Sequence, residues 1–213
     1  MARDDRRRSG EYITSGREII FPHVANIRPC SAIRNVVIQS SLAQLQEEGY
    51  YERYLKHIDP RTLEELKLTL SPGWTPIAVA HAHYQACDDI GLTQDEIAKL
   101  GQRIGKKLHE TTLIHSAKRN PGADFDLWEA TGALYRVWAR TYEGGSCQVV
   151  RIGPKDKLVE LRGFSLSRHR YYRIAQLYGI GSAYQSFGIR LESLKIVNYN
   201  PTADELTFRF IWR

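Results

Sequence analysis

From Ser31 onward the apolar positions recur at helical spacing. Ile33, Val36, Val37 and Leu45 follow it, with Ser40 and Ser41 among them. Ser31 is placed to cap the start, and Gly49 to end the helix in the left-handed conformation. Tyr51, Tyr54, Leu55 and Ile58 predict a short second helix over 50–58. Asp59-Pro60 reads as a cap followed by proline in the first turn, opening a stripe of Leu63, Leu66 and Leu70. After the break Ser71-Pro72-Gly73, Thr75-Pro76 opens a helix that runs to Ile90 and stops at Gly91. Thr93 to Glu96 is a capping box, and the helix behind it carries Ile97, Leu100, Ile104, Leu108 and Leu113 until Asn120-Pro121-Gly122. A further helix, about Phe125 to Tyr142, is rich in aromatic residues.

The period then falls from 3.6 to 2. Cys147 to Ile152 and Lys157 to Arg162 predict two strands joined through 153–156. A helix over Arg168 to Phe187 carries Ala175, Gly179, Ala183 and Ser186 on one edge, small enough to let it lie close to a sheet. Two more strands, about Arg190 to Tyr199 and Glu205 to Trp212, flank 200–204. In the last, Leu206, Phe208, Phe210 and Trp212 alternate with Thr207, Arg209, Ile211 and Arg213. The expected fold class is α+β: a helical N-terminal half packed on a C-terminal β-β-α-β-β antiparallel four-stranded sheet, because a Phe/Trp face needs cover. Residues 1–17 read as a flexible basic tail and 18–213 as a single ligand-binding-like domain.

Composition narrows the class. Of the 213 residues, 42% are hydrophobic and 25% charged, too apolar for a disordered chain. No apolar run nears the ~18 residues of a membrane span, and the charged N-terminus does not resemble a secretory signal. Cys30, Cys87 and Cys147 are odd in number and far apart, which suits a reducing cytoplasm. The net charge of +6 sits at the C-terminus. Residues 146–213 hold eleven Lys/Arg against five Asp/Glu. Arg162, Arg168, Arg170 and Arg173, interleaved with His169, Tyr171 and Tyr172, read either as an anion or nucleic-acid patch or as a solvated helix start with snorkelling arginines.

Little here points to catalysis. There is no G-x-S-x-G, no P-loop, and no pair of carboxylates at acid/base spacing; Gly179-Ile180-Gly181 lies inside a helix and follows no strand. His83 and Cys87, four apart beside His81, have the spacing of two metal ligands, but no second pair completes a site. His109 and His115 are helix-end histidines that double as candidate axial haem ligands. The expectation is therefore no catalytic residues, no metal and no cofactor. Phe125, Trp128, Tyr135 and Trp138 fall on one stripe and read as core or as the wall of an apolar pocket. In the pocket reading Gly132 leaves room beside the rings and Tyr135 turns its hydroxyl inward.

The helix with Gly179 and Ser182, the turn Phe187-Gly188-Ile189 and the closing strand Thr207 to Trp212 resemble the ligand-binding fold shared by haem-nitric-oxide-binding domains, 4-vinyl-reductase sensor domains and Golgi-transport tether subunits. The helix opening at Thr75, the segment Gly91 to Thr112 and the terminal Phe-x-Ile-Trp are also similar to a myxobacterial paralogous family of uncharacterised proteins. The resemblance spans about 31–213. Its haem-binding members use Tyr-x-Ser-x-Arg; here Tyr184-Gln185-Ser186 leads into Phe187-Gly188, and Arg190 comes two residues late. Of the C-terminal cysteine cluster common in the 4-vinyl-reductase sensors, this half has Cys147 alone. The resemblance thus implies a cytoplasmic, bacterial, non-enzymatic sensor or adaptor that binds a small apolar ligand or a partner protein in signalling or regulation, with a homodimer as a plausible state. The alternatives are a nucleic-acid-binding protein using the Arg/Tyr-rich helix and a haem- or metal-binding protein.

Overall fold

The computed structural model describes residues 16–70, 72–112, 127–186 and 188–213. In chain order the elements are β1 (Glu18–Phe21), β2 (Ala32–Arg34), α1 (Asn35–Glu47), α2 (Tyr51–Leu55), α3 (Pro60–Leu68), β3 (Trp74–Pro76), α4 (Ile77–Asp89), α5 (Gln94–Thr112), α6 (Leu127–Thr141), β4 (Tyr142–Glu143), β5 (Ser146–Gly153), β6 (Asp156–Arg162), a 3-10 turn (Ser165–Arg168), α7 (Arg170–Ser186), β7 (Leu191–Asn200) and β8 (Glu205–Trp212). None of the described helices is long and apolar enough to cross a membrane.

Local chemistry explains most helix ends. The Asp59 carboxylate accepts the Thr62 N–H at 2.9 Å, and Pro60 occupies the first turn of α3. Ahead of α5, Glu96 accepts the Thr93 N–H at 2.7 Å, while the Thr93 hydroxyl accepts the Glu96 N–H at 3.3 Å. Gly49 follows α1 with a positive φ of 77° and Gly91 follows α4 at 71°, where a side chain would be strained.

Two starts differ from the periodicity. Ser31 does not cap α1, because Ala32–Arg34 is drawn into a small sheet between β3 and β4. Helix α1 begins at Asn35, whose buried amide donates to the Thr69 carbonyl at 2.5 Å and accepts from the Thr75 hydroxyl at 2.9 Å. By the same pairing, Thr75-Pro76 is strand, and α4 starts one residue later.

The main sheet has the order β1-β5-β6-β8-β7, antiparallel throughout. The four expected strands form its contiguous body. It has five strands rather than four, because Glu18–Phe21 pairs with β5 at the edge. Phe208 and Phe210 of β8 are fully buried and Trp212 nearly so, all on the inward face beside Val159 and Leu161 of β6. Burying an aromatic or aliphatic side chain of this kind contributes about 1.5–3 kcal/mol.

The small residues of α7 serve a different neighbour from the expected one. Ala175 and Gly179 face α5, not the sheet: a Cβ added at Gly101 would stand 2.7 Å from the Ala175 Cα, and one at Gly105 2.6 Å from the Gly179 Cα. The contact with the sheet comes from Gly181, facing Leu194 and Leu191 of β7. Gly105→Ala is therefore expected to destabilise the fold by about 1–3 kcal/mol in chemical denaturation, since backbone must move to admit the methyl. Gly132→Ala on α6, whose added Cβ meets the Phe21 ring edge at 3.2 Å, is expected to cost less because its helix propensity improves.

Candidate functional site

A cavity of about 590 Å3 lies between α1, α5, α6, α7 and the inward face of β5 and β6. That is within the range of small-molecule sites. Val37, Ile104, Val149, Val159 and Ile180 supply apolar wall. At the rim, Pro72 and Arg140 are exposed, and Arg34 donates to the Pro72 carbonyl at 2.6 Å while lying over the Trp74 ring.

The cavity follows from helix spacing. Gly101 and Gly105 bring α5 against α7 at backbone distance, while α6 is held off α7 by rings. Tyr142, just after α6, receives a hydrogen bond from the Tyr172 hydroxyl at 3.1 Å, and Thr131 meets the Tyr184 hydroxyl at 3.2 Å. Tyr84, Tyr142, Tyr171, Tyr172 and Tyr184 all line the space. Burial raises every one of these phenols above its ordinary value, so each stays protonated at neutral pH.

Two further polar features mark the lining. The Trp138 indole N–H is buried and has no hydrogen-bond partner. Buried donors are nearly always paired, so an orphan in a cavity wall is a position where a ligand acceptor would be stabilised. The second feature is Lys157, fully buried on β6. Its Nζ donates to the Thr131 hydroxyl at 2.7 Å and to the Tyr184 hydroxyl, and lies 3.7 Å from the Tyr184 ring centre. Desolvation holds the amine well below its ordinary value. Thr131 and Tyr184, its partners, are both cavity residues. Lys157 is not among the residues singled out from the sequence. The signal was available in the alternation of β6, where Lys157 takes the inward register with Val159 and Leu161.

The residues singled out in the sequence are distributed as follows. Tyr135 and Trp138 line the cavity; Trp128 packs edge-on against Trp212 and under Arg151; Phe125 is outside the described residues. The space expected beside Gly132 is taken by Phe21, which stacks on Tyr135 with ring centres 4.7 Å apart. With β1 lying there, the Tyr135 hydroxyl is directed to the Pro22 carbonyl at 3.5 Å instead of inward.

The four arginines have internal partners. Arg162 pairs with Glu205 at 3.2 Å, Arg168 with Asp204 at 3.0 Å, Arg170 donates to the Leu92 carbonyl, and Arg173 donates to the Ser167 and Arg168 carbonyls and covers Tyr199.

His81 is 2.8 Å from both His169 and the Ser165 hydroxyl. Asp88, facing His169 at 3.5 Å, accepts the N–H groups of Arg170 and Tyr171, so this cluster fastens the start of α7 to α4. His83 is enclosed between the Tyr54 and Ser41 hydroxyls at 3.0 and 3.1 Å, with Cys87 behind it. No group of three or more His, Cys, Asp or Glu able to hold a metal occurs among the described residues. The His109 side chain and His115 are outside them.

This arrangement of elements is the fold of H-NOX domains. The chain is similar to an H-NOX protein from K. algicida in the Fe(II) unliganded state (11% identity, TM-score 0.59, covering 85% of this chain and 97% of that one). It is also similar to an H-NOX protein from S. oneidensis in the Fe(II) ligation state (13%, 0.57, 85% and 96%) and to an oxygen-binding H-NOX domain related to soluble guanylate cyclases (10%, 0.54, 85% and 95%). No protein-family model matches the chain, and neither does any curated protein sequence.

The described lining does not fit a haem. An iron ligand must be a neutral imidazole, a thiolate, a thioether or a phenolate. The donors present are protonated phenols and the Cys147 thiol, pushed up to about 12 by burial. No described histidine lines the cavity, and both ring nitrogens of His83 are engaged.

Burial holds His83 down to about 3. Unfolded, it takes a proton near its ordinary value of 6.5. Its contribution is thus full above pH 6.5 and declines as pH falls toward 3, where the unfolded state binds the extra proton. His83→Gln is expected to flatten that part of the stability–pH curve relative to wild type, measured by urea unfolding at intervals from pH 7 to pH 3.

Proposed function

We propose that this chain is a non-enzymatic sensor or adaptor domain that binds a small, mainly apolar molecule in the cavity between α1, α5, α6 and α7. The observation carrying this reading is the cavity itself: about 590 Å3, walled by aliphatic and aromatic side chains, with the unpaired Trp138 N–H aimed at no protein acceptor. The likeness to H-NOX domains, one of which is described as oxygen-binding, supports a container role for the fold. The ligand differs from theirs in kind, because the described donors do not present an axial ligand. The signal would pass through α7, which touches both the cavity and, through Gly181, the sheet.

Purified protein is expected to bind the apolar fluorophore 1-anilinonaphthalene-8-sulfonate at one site, with quenching of tryptophan fluorescence. Val37→Trp, which places an indole in the cavity, is expected to weaken that binding by tenfold or more while leaving the far-UV circular dichroism unchanged. Equal binding by the variant would overturn the assignment of the site. Native mass spectrometry of the untreated protein checks directly for a co-purifying small molecule.

A further inference from the structure

We infer that the cavity takes an amphiphile, an apolar body with one oxyanion head of the carboxylate or sulfate kind, its body inside and its head held at the mouth by the guanidinium groups of Arg34 and Arg140. This rests on the cavity reading above and adds the ligand's chemical class and its direction.

The charges of the lining stand at one end and have one sign. Of the described residues that line the cavity, Pro72 and Arg140 alone are exposed, so the mouth lies there. Arg34, half-buried on β2, ties these two together. Its Nε donates to the Arg140 carbonyl at 3.2 Å and its Nη1 to the Pro72 carbonyl at 2.6 Å. Among the described lining residues there is no Asp or Glu to balance the pair, and no other Arg, Lys or His.

What holds Arg34 leaves its charge uncompensated. Its partners are two neutral carbonyls and the face of Trp74, 3.9 Å away. Arg162, Arg168 and Arg209, by contrast, are each paired with a carboxylate. The carbonyls and the ring fix the guanidinium plane but use only Nε and Nη1, so Nη2 keeps its protons for another acceptor. The Arg140 side chain has no hydrogen-bonding, ionic or ring partner among the described residues. A tie between β2 and the Pro72 segment needs donors; it does not need a second cation at the same lip. Two guanidinium groups there repel each other, and an anion between them turns that repulsion into attraction. The planar fork of arginine also matches the paired oxygens of such a head.

Depth sets the direction. From Arg140 back along α6 to Thr131 is nine residues, about 13 Å of helix. Past the mouth the wall is aliphatic and aromatic, with Val149, Val159 and Ile180 along it. A head carried inward would lose its water and meet hydroxyls already bonded to one another, Thr131 to Tyr184 and Tyr172 to Tyr142. A head left at the lip stays solvated and gains two cations, while the body buries its apolar surface. Because the pair is formed beside water, its contribution is modest and falls with salt.

The test is isothermal titration of the full chain with four ligands that share one octyl chain: octanoate, octyl sulfate, 1-octanol and octyltrimethylammonium. At about 0.02 M salt at least one of the two anions is expected to bind about fivefold more tightly than the alcohol, with the cation weakest, and at about 0.5 M salt the preference should largely vanish. The stronger of the two anions identifies the head. Arg140→Gln is expected to reduce the preference and Arg140→Glu to reverse it toward the cation, both with octanol affinity unchanged. A variant that merely disturbed the lip would weaken all four ligands alike, so a uniform loss in Arg140→Glu overturns the inference. So does equal binding of anions and alcohol by wild type, or an anion preference that survives Arg140→Glu; each of these leaves the cavity reading intact. Failure of all four compounds to bind removes the cavity reading, and the inference with it.

Discussion

The contact on which the arrangement depends is backbone against backbone. Where Gly101 meets Ala175 and Gly105 meets Gly179, α5 and α7 approach so closely that no Cβ would fit at either α5 glycine. An alanine there would push the helices apart or rotate α7 about its axis. Rotation matters because α7 also carries Tyr171 and Tyr172, one turn before Ala175, and Tyr184 on the side opposite that contact. Their rings reach toward α1, α6 and the sheet, and they stand off α6 instead of letting it close. Close packing at Ala175 and Gly179, with long tyrosine side chains before and after them on the same helix, leaves the cavity that all of these residues line.

A cavity made this way is not a packing fault of an apolar core. Protein interiors fill their space, and a void lined by partnerless atoms forfeits dispersion energy. Here the wall is studded with hydroxyls organised by one another: Ser41 joins Tyr171 to His83, and Tyr172 is joined to Tyr142. Such a wall is already satisfied except at Trp138, so it accepts an apolar body without stranding its polar groups. The polar groups are also unevenly placed, with an unpaired donor near the rim and a hydroxyl pair backed by an amine inside. That asymmetry gives an occupant a direction.

Much of the chain's fold was legible because it rests on local rules. The Asp59 cap, the Thr93–Glu96 box and the alternation of Leu206, Phe208, Phe210 and Trp212 each need only neighbouring residues to be read. Long-range pairing was the hidden part. Ala32–Arg34 reads as the first turn of α1 until β3 and β4 arrive on either side, and Glu18–Phe21 is too short, with Pro22 following it, to announce an edge strand. The site was hidden for the same reason at a larger scale. A stripe of aromatic residues on α6 looks identical whether it closes a core or lines a space, and the choice lies in glycines on α5 and α7. Lys157 was concealed by its place at the strand end: a lysine beside the apolar pair Val159 and Leu161 reads as a snorkelling edge residue until the pairing with β5 and β8 extends the inward face to it.

The likeness to H-NOX domains and the unsuitability of the described lining for haem are compatible once fold and site are separated. What a container fold conserves is the spacing of its helices over a sheet, which backbone contacts and inward-facing strands can hold with almost no identity at individual positions. What it binds is decided by the few groups aimed into the space. In this chain those groups are neutral phenols, a protonated thiol, an indole N–H and, behind two of the hydroxyls, an amine whose charge burial disfavours. Such a set is poor at holding a metal, since the phenols, the thiol and the indole would each first have to lose a proton in a dry environment. It leaves one donor open to an acceptor, the unpaired Trp138 N–H. The chemistry of the wall therefore argues for an apolar occupant that carries acceptor oxygens.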